Sequence, residues 1–216
     1  MEFEKKLRTA VVAAYHWIKD NRQIAATVAV TVAAVGFLAY FAVSRHNLGV
    51  IRASEKFSSA QGMYSQGMTD RAGGIFTEVI AQYPRSEPAS HARINLAGIK
   101  LAQGDYDGAR ELSRAVYTSG RPKTLRPFGL YLSVLALDEK RDPSAIAEAE
   151  LFVEKYPDHF LTPRVYEKLG MMYEKSARID DARRTYERMA VLYPSSTWAA
   201  RAVARMSAAG GGAPKQ

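Results

Sequence analysis

The chain contains no cysteine. Disulfide staples, thiolate nucleophiles and cysteine-ligated metals are therefore excluded together. Histidine is scarce: His16, His46, His91 and His159 are scattered, with no His-x-x-x-His pair. There is also no glycine-rich phosphate loop and no Gly-x-Ser-x-Gly elbow. Acid pairs occur, at Asp138-Glu139, Glu148/Glu150 and Asp180-Asp181, but carboxylates on exposed helix faces or at a helix start need no catalytic role. No enzyme activity, cofactor, metal or small-molecule substrate is expected. The net charge of +8 is spread along the chain, whereas nucleic-acid binding concentrates basic residues on one face; nucleic acid is not an expected partner.

What the sequence does have is one long uncharged run. Arg22 and Arg45 bracket 22 residues without a charge, and Ile24 to Val43 reads IAATVAVTVAAVGFLAYFAV. A helix of about 20 residues spans about 30 Å, the thickness of the hydrocarbon core. Thr27 and Thr31 can return their hydroxyls to helix carbonyls, and Trp17, Tyr40 and Phe41 suit the interfaces. The run exceeds a signal-peptide core, and Ser44-Arg45-His46 is a poor cleavage site. A transmembrane helix is expected over 23–44. Five Lys/Arg precede it (Lys5, Lys6, Arg8, Lys19, Arg22), and only Arg45, Arg52 and Lys56 follow closely. The positive-inside rule then leaves residues 1–22 in the cytoplasm and everything beyond the run outside. Phe3, Leu7, Val11, Ala14 and Ile18 recur at helical spacing, which predicts a short amphipathic helix in the first segment.

The rest of the chain repeats. Tyr-Pro recurs at Tyr83-Pro84, Tyr156-Pro157 and Tyr193-Pro194, one double and one single period of about 36 residues. A disturbed copy falls at Tyr117 and Pro122. Proline ends a helix and restricts the residue before it, so each period reads as one helix pair. The fourth pair is clearest. Thr162 is expected to cap its first helix with Pro163 at the first helical position, and the second helix is expected from about Asp180 to Leu192. Leu169-Gly170, Tyr173, Ala182, Tyr186, Met189 and Pro194 match the tetratricopeptide pattern in order and spacing. Leu96-Ala97 and Ala109 mark the second pair; Ala60, Met63, Ala72, Phe76 and Val79 the first; Leu132-Ser133, Ala136, Ala145, Ala149 and Phe152 the third. Residues 197–208 form a capping helix, needed because each pair buries its face only against neighbours. The predicted fold is all-α: one transmembrane helix, then an α-solenoid of about four tetratricopeptide-like helix pairs over 48–208, then a flexible tail over 209–216.

The whole chain resembles the YfgM-like family of ancillary SecYEG translocon subunits. The resemblance rests on Trp17-Ile18-Lys19-Asp20-Asn21 before the apolar run, on Ala53-Ser54-Glu55-Lys56-Phe57 at the start of the first repeat helix, and on the order of segments. Tyr193 to Ala199 is also similar to repeats of BamD-type and Tol-associated envelope lipoproteins, but those carry a lipidated cysteine. The YfgM-like resemblance implies a non-enzymatic scaffold in the bacterial inner membrane, with SecYEG and periplasmic chaperones as partners and the repeats in the periplasm. An envelope-assembly or cell-division adaptor that oligomerises through its repeats is the alternative.

In such arrays the first helix of each pair lines the concave face. Phe57, Tyr64, Ile94, Leu101, Leu130, Val134, Leu137 and Met171 are therefore the expected partner-binding groove, with Leu130, Val134 and Leu137 at its apolar centre. Two readings stay open: a groove open to a partner, or one filled by the array itself. Arg110, Arg114, Arg121, Lys123 and Arg126 cluster near the junction of the second and third pairs, and could face anionic lipid, an acidic partner or simply solvent.

Overall fold

The computed structural model describes residues 19–210 together with Glu2, Lys6 and Arg8. The amphipathic helix expected near the N-terminus lies outside the described residues, as does the tail beyond Gly210. The chain divides into two compact units, Met1–Ile51 and Arg52–Gln216. From Arg22 to Gly210 its helices are α1 (Arg22–Ser65), α2 (Thr69–Gln82), α3 (Glu87–Ala102), α4 (Tyr106–Ser119), α5 (Arg126–Lys140), α6 (Ser144–Lys155), α7 (Thr162–Lys175), α8 (Ile179–Leu192) and α9 (Thr197–Gly210). A 3-10 turn, Lys123–Leu125, leads into α5.

Helix α1 is 44 residues long and carries both the apolar run and the first repeat helix. The separation expected between 44 and 48 is absent. No proline interrupts Ser44 to Arg52, and the lone Gly49 costs a helix only about 1 kcal/mol. Thr27 and Thr31 donate their hydroxyls to the carbonyls of Gln23 and Thr27 at 2.9 and 2.8 Å. Among the described residues no helix is long and apolar enough to cross a membrane. The side chains of Ala39, Ala42 and Val43, inside the run, lie outside the described ones.

From α2 onward consecutive helices pack pairwise, and their turns repeat in detail. Each turn inside a pair places one residue in the left-handed region: Gly67 (φ 80°), Gly104 (φ 79°), Arg141 (φ 61°) and Ala177 (φ 57°). At each, the amide of the next residue reaches back over five: Met68 to Met63, Asp105 to Lys100, Asp142 to Leu137 and Arg178 to Tyr173, at 2.9–3.0 Å. This helix stop satisfies carbonyls that the helix end would otherwise leave free. Glycine takes the left-handed angle at no steric cost in the first two turns; Arg141 and Ala177 hold it at a cost of about 1 kcal/mol each.

The turns between pairs carry the Tyr-Pro motif. Tyr83, Tyr156 and Tyr193 end their helices at φ −131°, −130° and −126° with ψ 51°, 54° and 55°. That backbone lies outside the helical region, as the residue before proline requires. After the first and third motifs a serine caps the next helix: Ser86 and Ser196 accept from the amides of Ala89 and Ala199 at 3.2 Å while donating to the carbonyls of Tyr83 and Tyr193. After the second, Thr162 replaces it. Thr162 is not the cap expected from sequence. It is already helical, Leu161 precedes it as the cap residue, and its buried hydroxyl donates to the Tyr156 carbonyl at 2.6 Å. The disturbed fourth junction has no such motif: α4 ends at Gly120, whose amide bonds the Val116 carbonyl at 2.8 Å.

Two apolar cores result. One joins Ala53 and Ala60 of α1 to Phe76, Val79, Leu96 and Ile99. The other runs from Leu130, Val134 and Leu137 through Phe152, Val165, Tyr186 and Met189 to Ala202. Between them lie small buried residues: Ala97, Ala109, Ser113, Gly129 and Ser133. At this seam α4 and α5 pack backbone to backbone. A Cβ on Gly129 would stand 2.6 Å from both the Ser113 carbonyl oxygen and the Tyr117 amide nitrogen.

Candidate interaction site

The expected groove is not an open surface at its centre. Leu130, Val134 and Leu137 are 2%, 0% and 0% exposed and belong to the second core. Their stripe on α5 packs within the array, so the self-filled reading holds for them and the open-groove reading is corrected. The excess of apolar residues on α5 serves two neighbours, α4 and α6, and the core shared with α7 and α8. Phe57 is half-buried against the first core, its ring 5.7 Å from Phe76 and 5.8 Å from His91. Ile94, Leu101 and Met171 are half-buried, and Tyr64 is exposed.

The faces of α5, α7 and α9 beside that stripe are polar. Asp138 of α5 is buried and accepts from the ammonium groups of Lys168 and Lys175 of α7 at 2.7 and 2.9 Å. Glu167 and Glu174 of α7 pair with Arg201 and Arg205 of α9 at 3.5 and 3.2 Å. Burial alone would raise the Asp138 pKa; the hydrogen bonds from Lys168 and Lys175, with their charges, outweigh it and hold the carboxyl below its ordinary value. A depressed carboxylate contributes stability fully above its unfolded value of about 3.9 and loses it as pH falls through the folded value. Asp138→Asn should therefore lower the unfolding free energy by about 2 kcal/mol at pH 7, since it leaves the partly buried Lys168 with only the longer, 3.9 Å contact to Glu139. The difference from the parent should shrink toward zero near pH 2. Urea unfolding at the two pH values checks both the size and the sign.

A cleft of about 590 Å³ opens between α6, α7 and α8. Tyr166, Leu169 and Tyr173 of α7 form its floor, Glu150 and Glu154 stand on α6, and Arg184 and Arg188 on α8. The Tyr173 hydroxyl donates to Glu150. Burial first, and that hydrogen bond second, push its pKa up to about 12, so it remains a donor at neutral pH. Arg178 lies over the Tyr173 ring at 4.5 Å and pairs with Asp181 at 2.6 Å. Sequence reasoning treated Glu148/Glu150 as a solvated face and missed this site. The available signal was Tyr166 and Tyr173, seven apart on one helical stripe, with acids on the preceding helix and arginines on the following one. Tyr166, Leu169 and Tyr173 are 3%, 4% and 6% exposed and belong to the second core, so the cleft presents mainly its charged rims to solvent. Among the described residues no group of His, Asp and Glu could hold a metal ion.

Residues 15–206 match the tetratricopeptide repeat-like domain family. The chain belongs to that family. The tetratricopeptide-like array is similar in fold to two solved structures, MamA 41-end from Desulfovibrio magneticus RS-1 and a MamA RS-1 ArsTM double mutant. Each is 18% identical and covers 65% of this chain, with 75% and 74% of the other chain and TM-scores of 0.55 and 0.56. Among curated proteins none matches. The tetratricopeptide-like assignment explains why Gly170 and Ala182 are small: a Cβ on Gly170 would stand 2.4 Å from the Tyr186 ring, and Ala182 is buried beside it in the same core.

Proposed function

We propose that this chain is a non-enzymatic scaffold, anchored in a bacterial inner membrane by the apolar run of α1. Its array would bind protein segments on the far side, with SecYEG and periplasmic chaperones as the partners that the sequence resemblance suggests. The observation that carries the anchor is the exposure of the run on every side. Val28, Val30, Val32, Val35, Phe37, Leu38, Tyr40 and Phe41 are each more than half exposed, and at 100° per residue they occupy the whole circumference. A helix apolar on one stripe packs on a core; one apolar all round belongs in lipid. Leaving such side chains in water forfeits about 1.5–3 kcal/mol each. Partner capture is best supported at the cleft between α6, α7 and α8, through the exposed Glu150, Glu154, Arg184 and Arg188 on its rims.

The test is fractionation of the full chain. It should stay in the membrane pellet through alkaline carbonate, and protease added to spheroplasts should digest the array while leaving a fragment that holds residues 1–44. Release by carbonate would remove the anchor. Protection of the array would reverse the orientation.

A further inference from the structure

The cleft between α6, α7 and α8 holds opposite charges apart. Glu150 and Glu154 stand one helical turn apart on α6, and Arg184 and Arg188 one turn apart on α8, all four exposed. Asp181, the remaining charge of the lining, is shared between Arg178 and Arg184. Those three residues keep one positive charge and Arg188 adds a second, so the α8 rim carries +2 against −2 on the α6 rim. The other charges of α6 turn away to α4: Glu148 pairs with Arg110 at 3.6 Å, and Lys155 donates to the Tyr117 hydroxyl at 3.1 Å. Asp180, Arg183 and Glu187 of α8 are exposed outside the lining. Because α7 lies between the two rims, no ion pair joins α6 to α8 among the described residues, and Glu154 and Arg188 have none at all.

The buried floor offers no socket to the side chains of a thin peptide. An occupant must answer both rims at once, from above, and so must present a broad surface with charge rows of its own. The face itself has that pattern. Helix α7 runs back between α6 and α8, so those two point the same way. Tyr156 and Tyr193 end them with matching backbone angles. Counted back from those tyrosines, Arg188 stands level with Leu151, between Glu150 and Glu154.

We propose that the occupant of the cleft is a second copy of this chain, in a twofold dimer whose axis lies along α7. The proposal rests on the reading of this cleft as the capture site and names what it captures. A twofold axis in that direction keeps the heights and exchanges the sides, so the glutamates of each copy meet the arginines of the other, twice over. An axis across α7 would set glutamates on glutamates, a juxtaposition that costs several kcal/mol. The charge pattern thus selects one of the two dimers. Leu151 lies on the stripe of Glu150 and Glu154, and Val191 on that of Arg184 and Arg188; both are exposed, and the aliphatic stems of the facing charged side chains would cover them. The contact is closed at two copies.

The test is sedimentation of the full chain in detergent micelles, a readout that does not depend on the anchor. The parent should sediment as a dimer. Glu150→Lys with Glu154→Lys, or Arg184→Glu with Arg188→Glu, should each raise the dissociation constant at least about tenfold while circular dichroism stays unchanged. Mixing the two variants should restore the dimer, because the all-basic face of one then meets the all-acidic face of the other. All four substitutions in one chain should restore it as well. A monomeric parent, association that neither reversal weakens, losses that mixing does not restore, or species larger than a dimer each overturn the proposal. Retention of purified SecYEG by the immobilised chain separates this outcome from failure of the capture reading. A monomeric parent whose retention is lost on reversal of the arginines overturns the dimer and leaves the cleft a capture site. Reversal that alters neither self-association nor retention overturns both.

Discussion

Leu137→Ala is expected to lower the unfolding free energy by about 3 kcal/mol, within the range for a buried leucine replaced by alanine. Leu137 is fully buried, and so is Val134 beside it. The side chain sits among helices on two sides, which limits how far the cavity can collapse. Leu130→Ala should behave alike. Tyr64→Ala, at an exposed position of the same expected groove, should change stability by less than about 0.5 kcal/mol. Guanidinium unfolding of the three variants, followed by circular dichroism, separates core from surface directly. A near-neutral Leu137→Ala would reopen the groove.

Gly129→Ala and Gly98→Ala should have opposite signs, although both glycines lie inside helices. Alanine is favoured over glycine in a helix by about 1 kcal/mol. A Cβ on Gly98 of α3 meets nothing within 4 Å, so Gly98→Ala should raise stability by about 0.5–1 kcal/mol. A Cβ on Gly129 would fall 2.6 Å from two backbone atoms of α4. Backbone cannot swing aside as a side chain can, so α4 and α5 must separate. Overpacking of this kind costs about 1–3 kcal/mol, and we expect a net loss of about 2 kcal/mol after the helix gain. The pair of melting curves isolates the seam between the two cores from helix propensity.

The repeat boundaries were legible because proline and glycine mark them chemically. Tyr83-Pro84, Tyr156-Pro157 and Tyr193-Pro194 fall at three of the four turns between pairs, and α7 and α8 begin within a residue or so of their expected starts. The junction at Gly120 lacks the motif, and its 3-10 turn had no sequence signature to follow. The direction of the apolar stripe on α5 was not legible. Spacing puts Leu130, Val134 and Leu137 on one face, but it does not say whether that face meets solvent or the next helix. The side chains that decide this, Val165, Leu169 and Met172, lie on α7 and are buried in the same core. The cleft on α6–α8 was invisible for a similar reason: its walls come from three helices, and no single stretch of sequence contains it.

The left-handed residues at Gly67, Gly104, Arg141 and Ala177 make the array a chain of interchangeable parts. Their positions differ by close to one repeat length throughout, and each redirects the backbone through the same hydrogen-bonded stop. A cut placed at any one of them can in principle be rejoined at another, with both ends already aimed correctly. In a solenoid whose pairs interact mainly with their neighbours, the length of the array can then change by whole pairs without redesign of the turns. The limits on such splicing are set by the side chains at each seam, with Gly129 the strictest because its neighbour is backbone.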